Sequence, residues 1–294
     1  MPQPGLPLVS RSFQNKDVAE VLDMINADQL PGQPPCTDAM LSEAVAGRSP
    51  VDSGWWNQLD HVAVDVLCDP HATIQGVVSY ARRQDTDSAV ILWLHGREDP
   101  TTVNALVRHA RARLTGVGTL DAFEFASALA VGLEGLPVRH RPATRAALSA
   151  DGFVESDLWR YMRRDLPAPE LPLATHAQVS PDPTNPGWLI QLRQPDRADG
   201  PQLGEAQVSI PAPGLGVLWW ISIDPAHRGQ HLGRQLLGAA LDTLHRQGAH
   251  EVILFVDDDA PPHDPERGRG AANALYDKAG FVEVDRLCSY RRAH

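Results

Sequence analysis

Ile221-Ser222-Ile223-Asp224-Pro225-Ala226-His227-Arg228-Gly229-Gln230-His231-Leu232-Gly233-Arg234 is the stretch on which the fold turns. An apolar strand stops at the Asp-Pro step, a Gly-containing turn follows, and an amphipathic helix begins. That helix, predicted over 232–247, sets Leu236, Leu237, Ala240, Leu241 and Leu244 on one stripe at helical spacing, and Gly248 ends it. Backbone amides in such a turn converge on one point, and the helix N-terminus adds partial positive charge. Together they form an anion cradle suited to a pyrophosphate. Arg228 and Arg234 add full charges at its rim.

Working outward, strands are predicted at 188–193, 205–210 and 217–223 before this helix, and at 251–256 and 283–290 after it. A second helix is predicted at 271–278. The preceding half of the chain reads the same way. It has a strand at 8–13, helices at 16–27 and 37–46, then strands at 61–68, 74–81 and 89–95. A helix at 101–114, a strand at 120–126, a helix at 143–150 and a strand at 157–162 complete it. The order is that of a mixed α/β sheet, twice.

An internal repeat supports the doubling. Gly152-Phe153-Val154-Glu155-x-Asp157 returns as Gly280-Phe281-Val282-Glu283-x-Asp285, and Arg163-Arg164 and Arg291-Arg292 continue the register without a gap. Between the copies, Pro167, Pro169, Pro172, Pro181, Pro183 and Pro186 exclude a helix, so this segment is expected to be a linker with at most one short edge strand. The domains expected are 1–165 and 166–294.

Composition narrows the class. The 294 residues carry a net charge of −11, 43% hydrophobic and 21% charged residues, as ordinary globular proteins do. The acidic balance argues against a surface that coats nucleic acid. No apolar run approaches a membrane span and the first residues do not resemble a signal peptide, so a cytoplasmic address is expected. Three cysteines, Cys36, Cys68 and Cys288, form no CxxC pair, and the twelve histidines form no HExxH, so no metal is expected.

The bend at 221–234, followed by Ala271-Ala272-Asn273-Ala274-Leu275-Tyr276-Asp277-Lys278-Ala279-Gly280-Phe281, resembles the GNAT superfamily of N-acetyltransferases. The resemblance covers about residues 187–294 and rests on Ile223, Pro225, Arg228, Gly233, Ala272, Leu275, Tyr276, Gly280 and Phe281. The tandem layout is similar to that of mycothiol synthase, a two-domain member. The resemblance implies tandem α/β domains, each a central, mostly antiparallel mixed sheet flanked by helices, with acetyl-CoA as co-substrate. It also implies that backbone groups of Ile221, Ser222 and Ile223 hold the pantetheine arm and the acetyl carbonyl where two strands splay. Arg228, Gly229, Gln230, His231, Leu232, Gly233 and Arg234 would take the pyrophosphate, and the Tyr276 phenol would protonate the leaving thiolate after an amine attacks directly.

Three positions depart from that pattern. His231 stands where the loop has its middle glycine. Arg269, in a polar insertion at 261–270, stands where an asparagine often opens the later helix. Val217 stands where some members carry a glutamate base. Asp257 and Glu205 are the candidate bases. Trp219 and Trp220, of opposite facing on a regular strand, are expected to pack in the core, with at most one lining an acceptor pocket.

In the first copy, Gly96-Arg97-Glu98-Asp99 puts two carboxylates where phosphates would sit, and Leu148 takes the place of Tyr276. Residues 1–165 are therefore expected to be a degenerate domain that serves as scaffold or shapes the acceptor site, and 166–294 the catalytic one. The expected reaction is acetyl transfer to the primary amine of a small molecule, without nucleic acid or membrane partners; a homodimer is compatible with it. A non-catalytic acyl-CoA-binding module and a protein or peptide N-acetyltransferase are the alternatives.

Overall fold

A computed structural model describes residues 8–174, 176–194, 200–257 and 270–293. It forms two compact units, one made of Met1–Trp159 with Asp285–His294, the other of Arg160–Val284.

The N-terminal unit holds β1 (Val9–Ser12), α1 (Val18–Ala27), α2 (Asp38–Val45), α3 (Ser53–Trp56), β2 (Leu59–Cys68), β3 (Ile74–Arg83), β4 (Ser88–His95), α4 (Pro100–Arg113), β5 (Thr119–Ala122), β6 (Leu136–Pro137) and α5 (Pro142–Ala150). It also takes the first half of β7 (Val154–Asp165) and most of β13 (Val282–Ala293). Strands run in the order β1-β2-β3-β4-β5-β13-β7, with β6 beside β13. Strands β1 to β4 are antiparallel, β4 and β5 parallel, and β5 and β13 antiparallel. Each face of the sheet has its own core. Val21, Met24, Leu41 and Ala44 of α1 and α2 pack against Val66, Val77 and Val90. On the other face Leu106, Val107 and Ala110 of α4, with Leu148 of α5, pack against Val78, Ile91 and Leu120. Strand β5 is shorter than its apolar pattern predicts, because Phe123 turns to a φ of 54° and leaves the ladder.

The C-terminal unit holds the rest of β7, then β8 (Ala177–Pro181), β9 (Trp188–Arg193), β10 (Gln202–Ala212), β11 (Leu215–Ile223), α6 (Leu232–Arg246), β12 (Glu251–Asp257) and α7 (Gly270–Lys278). Its order is β7-β12-β11-β10-β9-β8. The pairs from β8 through β11 are antiparallel, and β11 and β12 are parallel. The stripe read from the sequence, Leu236, Leu237, Ala240, Leu241 and Leu244, is wholly buried at 0% exposure against β9, β10 and β11. Each leucine so buried contributes about 1.5–3 kcal/mol.

Two expectations change. The proline-rich stretch is not a free linker: Leu166, Leu171 and Ala174 are buried in the core under α6, and the Leu166 amide donates to the His250 carbonyl at 2.8 Å. Only β8, at the edge of its sheet, matches the short strand expected there. Nor do the units divide at 165/166. They divide inside β7, and the last ten residues join the N-terminal unit, because each repeat's closing strand pairs in the other unit's sheet. Residues 285–293 of β13 lie beside β5, and 160–165 of β7 lie beside β12.

The repeated sequence encodes this exchange. Gly152 and Gly280 have φ of 86° and 76° just past α5 and α7. In both, the glycine amide donates three residues back (to the Ser149 and Asp277 carbonyls) and the phenylalanine amide five residues back (to the Leu148 and Tyr276 carbonyls), each at 3.1–3.2 Å. This is the Schellman helix stop, which needs a left-handed residue after the helix. Arg292 then donates to the Asp151 carbonyl at 2.9 Å, and Arg164 to the Ala279 carbonyl. Each arginine thus caps the last turn of the helix belonging to the other repeat.

The left-handed glycines give a test. A Cβ at Gly280 would meet nothing closer than 3.6 Å and at Gly152 nothing closer than 3.5 Å, so alanine costs only backbone strain. Gly152→Ala and Gly280→Ala are each expected to destabilise their unit by about 1–2 kcal/mol, a fall of several degrees in thermal midpoint. An unchanged midpoint in both would refute the helix-stop reading.

Candidate functional site

The site grows from the end of one ladder. Parallel pairing of β11 with β12 runs from Leu215↔Glu251 to Leu218↔Leu254, yet β11 continues to Ile223 and β12 to Asp257. Past Leu218 the two strands part, while β11 stays paired with β10 through Ile223↔Gly204. The Asp224 amide donates to the Leu203 carbonyl at 2.9 Å, which fixes the phase of that antiparallel ladder. Since hydrogen-bonded and non-hydrogen-bonded pairs alternate, Ser222 directs its backbone groups at Glu205. Ile221 and Ile223 turn theirs away from β10, into the gap beside β12. The Ile223 carbonyl already accepts Arg228 Nε at 3.2 Å. Of the three residues, Ile221 and Ile223 thus face the gap with their backbone groups, and Ser222 faces β10.

The bend follows directly. Asp224 accepts the Ala226 amide at 2.8 Å and starts a short 3-10 turn, Pro225–His227. Gly229 has φ 78° and His231, just ahead of α6, has φ 60°. Histidine is among the few non-glycine residues found there with any frequency, which is how this chain keeps the bend with a side chain in place. Among the described residues, the amides of Gly229, Gln230, His231, Leu232 and Gly233 have no hydrogen-bond acceptor, the first internal ones being Arg234 and Gln235 onto the His231 carbonyl. Five consecutive donors, at the N-terminus of a four-turn helix and on the surface, are open to an anion. Arg228 and Arg234 are both exposed beside them.

Tyr276 is 6% exposed and packs edge-on to Phe281, ring centroids 5.7 Å apart. It occupies the helix position whose carbonyl closes the Schellman stop, where contact with the residue after the glycine is the usual apolar clamp. Its ring is therefore accounted for by packing, as Leu148 is in the other repeat; the hydroxyl is what distinguishes it. Asp257 is half-buried at the end of β12, beyond the last paired residue, and Glu205 is half-buried on β10, accepting from Gln202 Nε2 at 2.8 Å. The insertion with Arg269 lies outside the described residues.

The two tryptophans are a correction. Gln207 pairs with Trp220 but Val208 pairs with Leu218, so Trp219 is an extra residue and β11 is bulged there. A bulge breaks the two-residue period and re-aims side chains. Trp219 is 38% and Trp220 50% exposed, and neither is in the core. Trp219 Nε1 donates to Ser209 Oγ at 2.7 Å, which fixes that ring. Nothing in the local sequence marks the bulge, so sequence reasoning missed a pair of exposed indoles on β11.

The equivalent turn of the N-terminal unit is closed by its own acids. Asp99 caps the Thr102 amide at 2.8 Å. Glu98 accepts the Ala143 and Thr144 amides at 2.8 and 3.0 Å and Arg141 Nε at 2.6 Å. One cluster of ligand-type groups occurs among the described residues, Glu155, Asp157 and Cys288. Its thiol donates to Asp157 Oδ1 at 3.3 Å, and burial together with the adjacent carboxylates pushes the Cys288 thiol far up, leaving it protonated and a poor ligand. No described helix is long and apolar enough to cross a membrane.

Comparison with known proteins agrees with this geometry. A family model described as an acetyltransferase (GNAT) domain matches residues 197–283. The chain is similar to the mycothiol acetyltransferase of Beutenbergia cavernae, 32% identical over 97 residues, which are 33% of this chain and 28% of that protein. It is also similar to the mycothiol acetyltransferase of Clavibacter michiganensis subsp. michiganensis, 27% identical over 264 residues, 86% of this chain and 76% of that protein. The matched stretch spans less than a third of the first of these relatives. Among solved structures, a tandem GNAT protein from the clavulanic acid biosynthesis pathway shares the fold at a TM-score of 0.64 and 17% identity, covering 98% of both chains. Residues 197–283 thus belong to an acetyltransferase (GNAT) domain, and the chain as a whole shares its doubled fold with a tandem GNAT protein.

Proposed function

We propose that the C-terminal unit transfers the acetyl group of acetyl-CoA to the primary amine of a small molecule by direct attack. The run of unengaged amides from Gly229 to Gly233 carries this reading, because it matches a pyrophosphate in charge, number of donors and position at a helix N-terminus. With the pyrophosphate there, the pantetheine arm runs along the gap beside β11, and the amides of Ile221 and Ile223 face it. One of these amides stabilises the oxyanion that forms when the amine nitrogen attacks the thioester carbonyl. As the C–S bond breaks, the Tyr276 phenol gives its proton to the leaving thiolate, and the attacking nitrogen loses its own to Asp257, to Glu205 or through water. Relatives named as mycothiol acetyltransferases favour a small acceptor. The exposed faces of Trp219 and Trp220 suit one with an apolar or sugar-like surface. The N-terminal unit, its turn filled by Glu98 and Asp99, takes no part in holding the coenzyme.

Calorimetry with coenzyme A tests the cradle. His231→Gly keeps the backbone angle and is expected to retain affinity, whereas His231→Val, β-branched at a positive φ, is expected to lose at least about tenfold. Equal affinity in the two would overturn the assignment of the bend. Thiol release over a panel of amines tests the chemistry. Tyr276→Phe keeps the packing against Phe281, so thermal stability and coenzyme affinity should hold while turnover falls about 10²-fold or more. Full turnover in that variant removes the phenol from the mechanism. Binding by the unaltered protein without turnover on any amine would favour an acyl-CoA-binding module, and turnover confined to peptides a peptide N-acetyltransferase.

A further inference from the structure

Both helices of the C-terminal unit lie on one face of its sheet. Residues of α6 and α7 share a single core with Ile190 of β9, Ala206 and Val208 of β10, and Leu218 of β11. Among the described residues no helix of this unit covers the other face, whereas the matching face of the N-terminal sheet carries α1 and α2. Side chains alternate along a strand, so the uncovered face presents Gln191 of β9, Glu205 and Gln207 of β10, and Trp220 and Ser222 of β11. All five are half-buried or exposed. The bulge adds Trp219 to the same face, because its indole bonds Ser209, which alternates with the core residue Val208. Two successive indoles on one face is an arrangement that a regular strand forbids.

An antiparallel sheet with one face in water is commonly polar on that face, and the glutamines need no further account. Glu205 does. Arg193 Nη2 donates to Gln191 Oε1 at 3.3 Å, Gln191 Nε2 to Gln202 Oε1 at 3.0 Å, and Gln202 Nε2 to Glu205 Oε2 at 2.8 Å. This chain of donors ends on one carboxylate oxygen and holds it in place. The other oxygen, Oε1, has no hydrogen-bond partner, and Glu205 has no ion pair among the described residues. A half-buried carboxylate fixed on one side and open on the other is preorganised for a cation that brings its own N–H donors.

Its place in the register ties it to the gap. Glu205 is directly opposite Ser222, and Trp220 and Ser222 both lie past Leu218, the last residue of β11 paired with β12. A coenzyme anchored at the start of α6 comes to that gap from the α6 side, so the acceptor meets the acetyl group from the uncovered face. Glu205 and Trp220 are diagonal neighbours across β10 and β11, with Cβ atoms about 7–8 Å apart. A chain of two or three carbons spans from the carboxylate to the ring.

We propose that Glu205 and Trp220 select the acceptor: the carboxylate holds the ammonium of an alkylamine, and the indole packs on a compact apolar or aromatic group a few carbons away. This rests on the transferase reading above and names its substrate class, amines that are cationic at neutral pH. Glu205 is then a specificity-determining residue, and Gln202, which fixes it, a positioning residue.

The test uses the full chain saturated with coenzyme A, which carries no acetyl group to transfer, and 2-phenylethylamine as probe. Two-dimensional NMR resolves the indole N–H signals of the seven tryptophans, and Trp220→Phe and Trp188→Phe identify two of them. Trp188, packed against the core under α6, reports on the opposite face. The amine is expected to shift the Trp220 signal with a dissociation constant on the order of a millimolar and to leave Trp188 in place. 2-Phenylethanol, the same skeleton without the charge, should bind several-fold more weakly, and 3-phenylpropionate more weakly still. Glu205→Gln should weaken the amine about fivefold and leave the alcohol unchanged, a split that a merely structural effect would not produce. A Trp220 signal unmoved by the amine, movement of Trp188 in its stead, or an equal effect of Glu205→Gln on amine and alcohol would each overturn the proposal. Failure of coenzyme A to bind would overturn the transferase reading itself, and this inference with it.

Discussion

The exchange of closing strands, locked by an arginine at each helix end, is the constraint on which the rest of the structure depends. Arg164 reaches the last turn of α7 and Arg292 the last turn of α5, so neither repeat holds all the groups that finish its own helix. Arginine suits the task because its guanidinium stays charged and meets carbonyls that carry the negative end of the helix dipole. The neighbouring arginines extend the pattern: Arg291 pairs with Asp121 at 2.7 Å on β5, and Arg163 pairs with Glu251 on β12. Pairs this close to the surface are individually weak. Their value is positional, since they fix which strand enters which sheet and in what register, and with it where each parallel ladder ends.

Where the ladder ends decides what each unit can bind. A parallel pair that stops short of its strands' ends leaves backbone donors and acceptors facing a gap, and these must be satisfied by chain, water or ligand. In the C-terminal unit the groups on Ile221 and Ile223 face such a gap, and the amides from Gly229 to Gly233 stand open at its rim. In the N-terminal unit the same gap is walled by the segment after Phe123, and the bend is closed by Glu98 and Asp99. The two repeats share a backbone plan. They differ in whether the anion at the helix end belongs to the chain or comes from outside it.

Much of this was legible in the sequence, and the failures have physical causes. The α6 stripe, the doubled strand order and the bend at 224–234 follow from local periodicity and turn chemistry, which act within a few residues. The strand exchange left a trace as well, because both copies of Gly-Phe and Arg-Arg recur in register. Which copy each arginine serves depends on contacts about 115 to 140 residues apart in sequence, and no local rule reaches that far. The bulge at Trp219 was hidden because an extra residue in a strand leaves the apolar alternation readable on either side. The proline-rich stretch misled for a simpler reason: prolines exclude a helix but do not exclude burial, and Leu166, Leu171 and Ala174 found a core.

Tyr276 shows how packing and a polar group share one residue. Its ring is needed where it stands, since the helix stop calls for an apolar contact with Phe281, and leucine does the equivalent work at 148. A phenol at that position therefore places a hydroxyl near the end of α7 without disturbing the clamp. The same economy holds at His231, where a residue tolerant of left-handed backbone keeps the bend that five free amides require. In both places the fold fixes the backbone and the packing, and the polar group is an addition to a position already determined. That is why a repeat can exchange such a group for another, as the N-terminal copy does with Leu148 and Glu98 at the matching places, and retain the architecture.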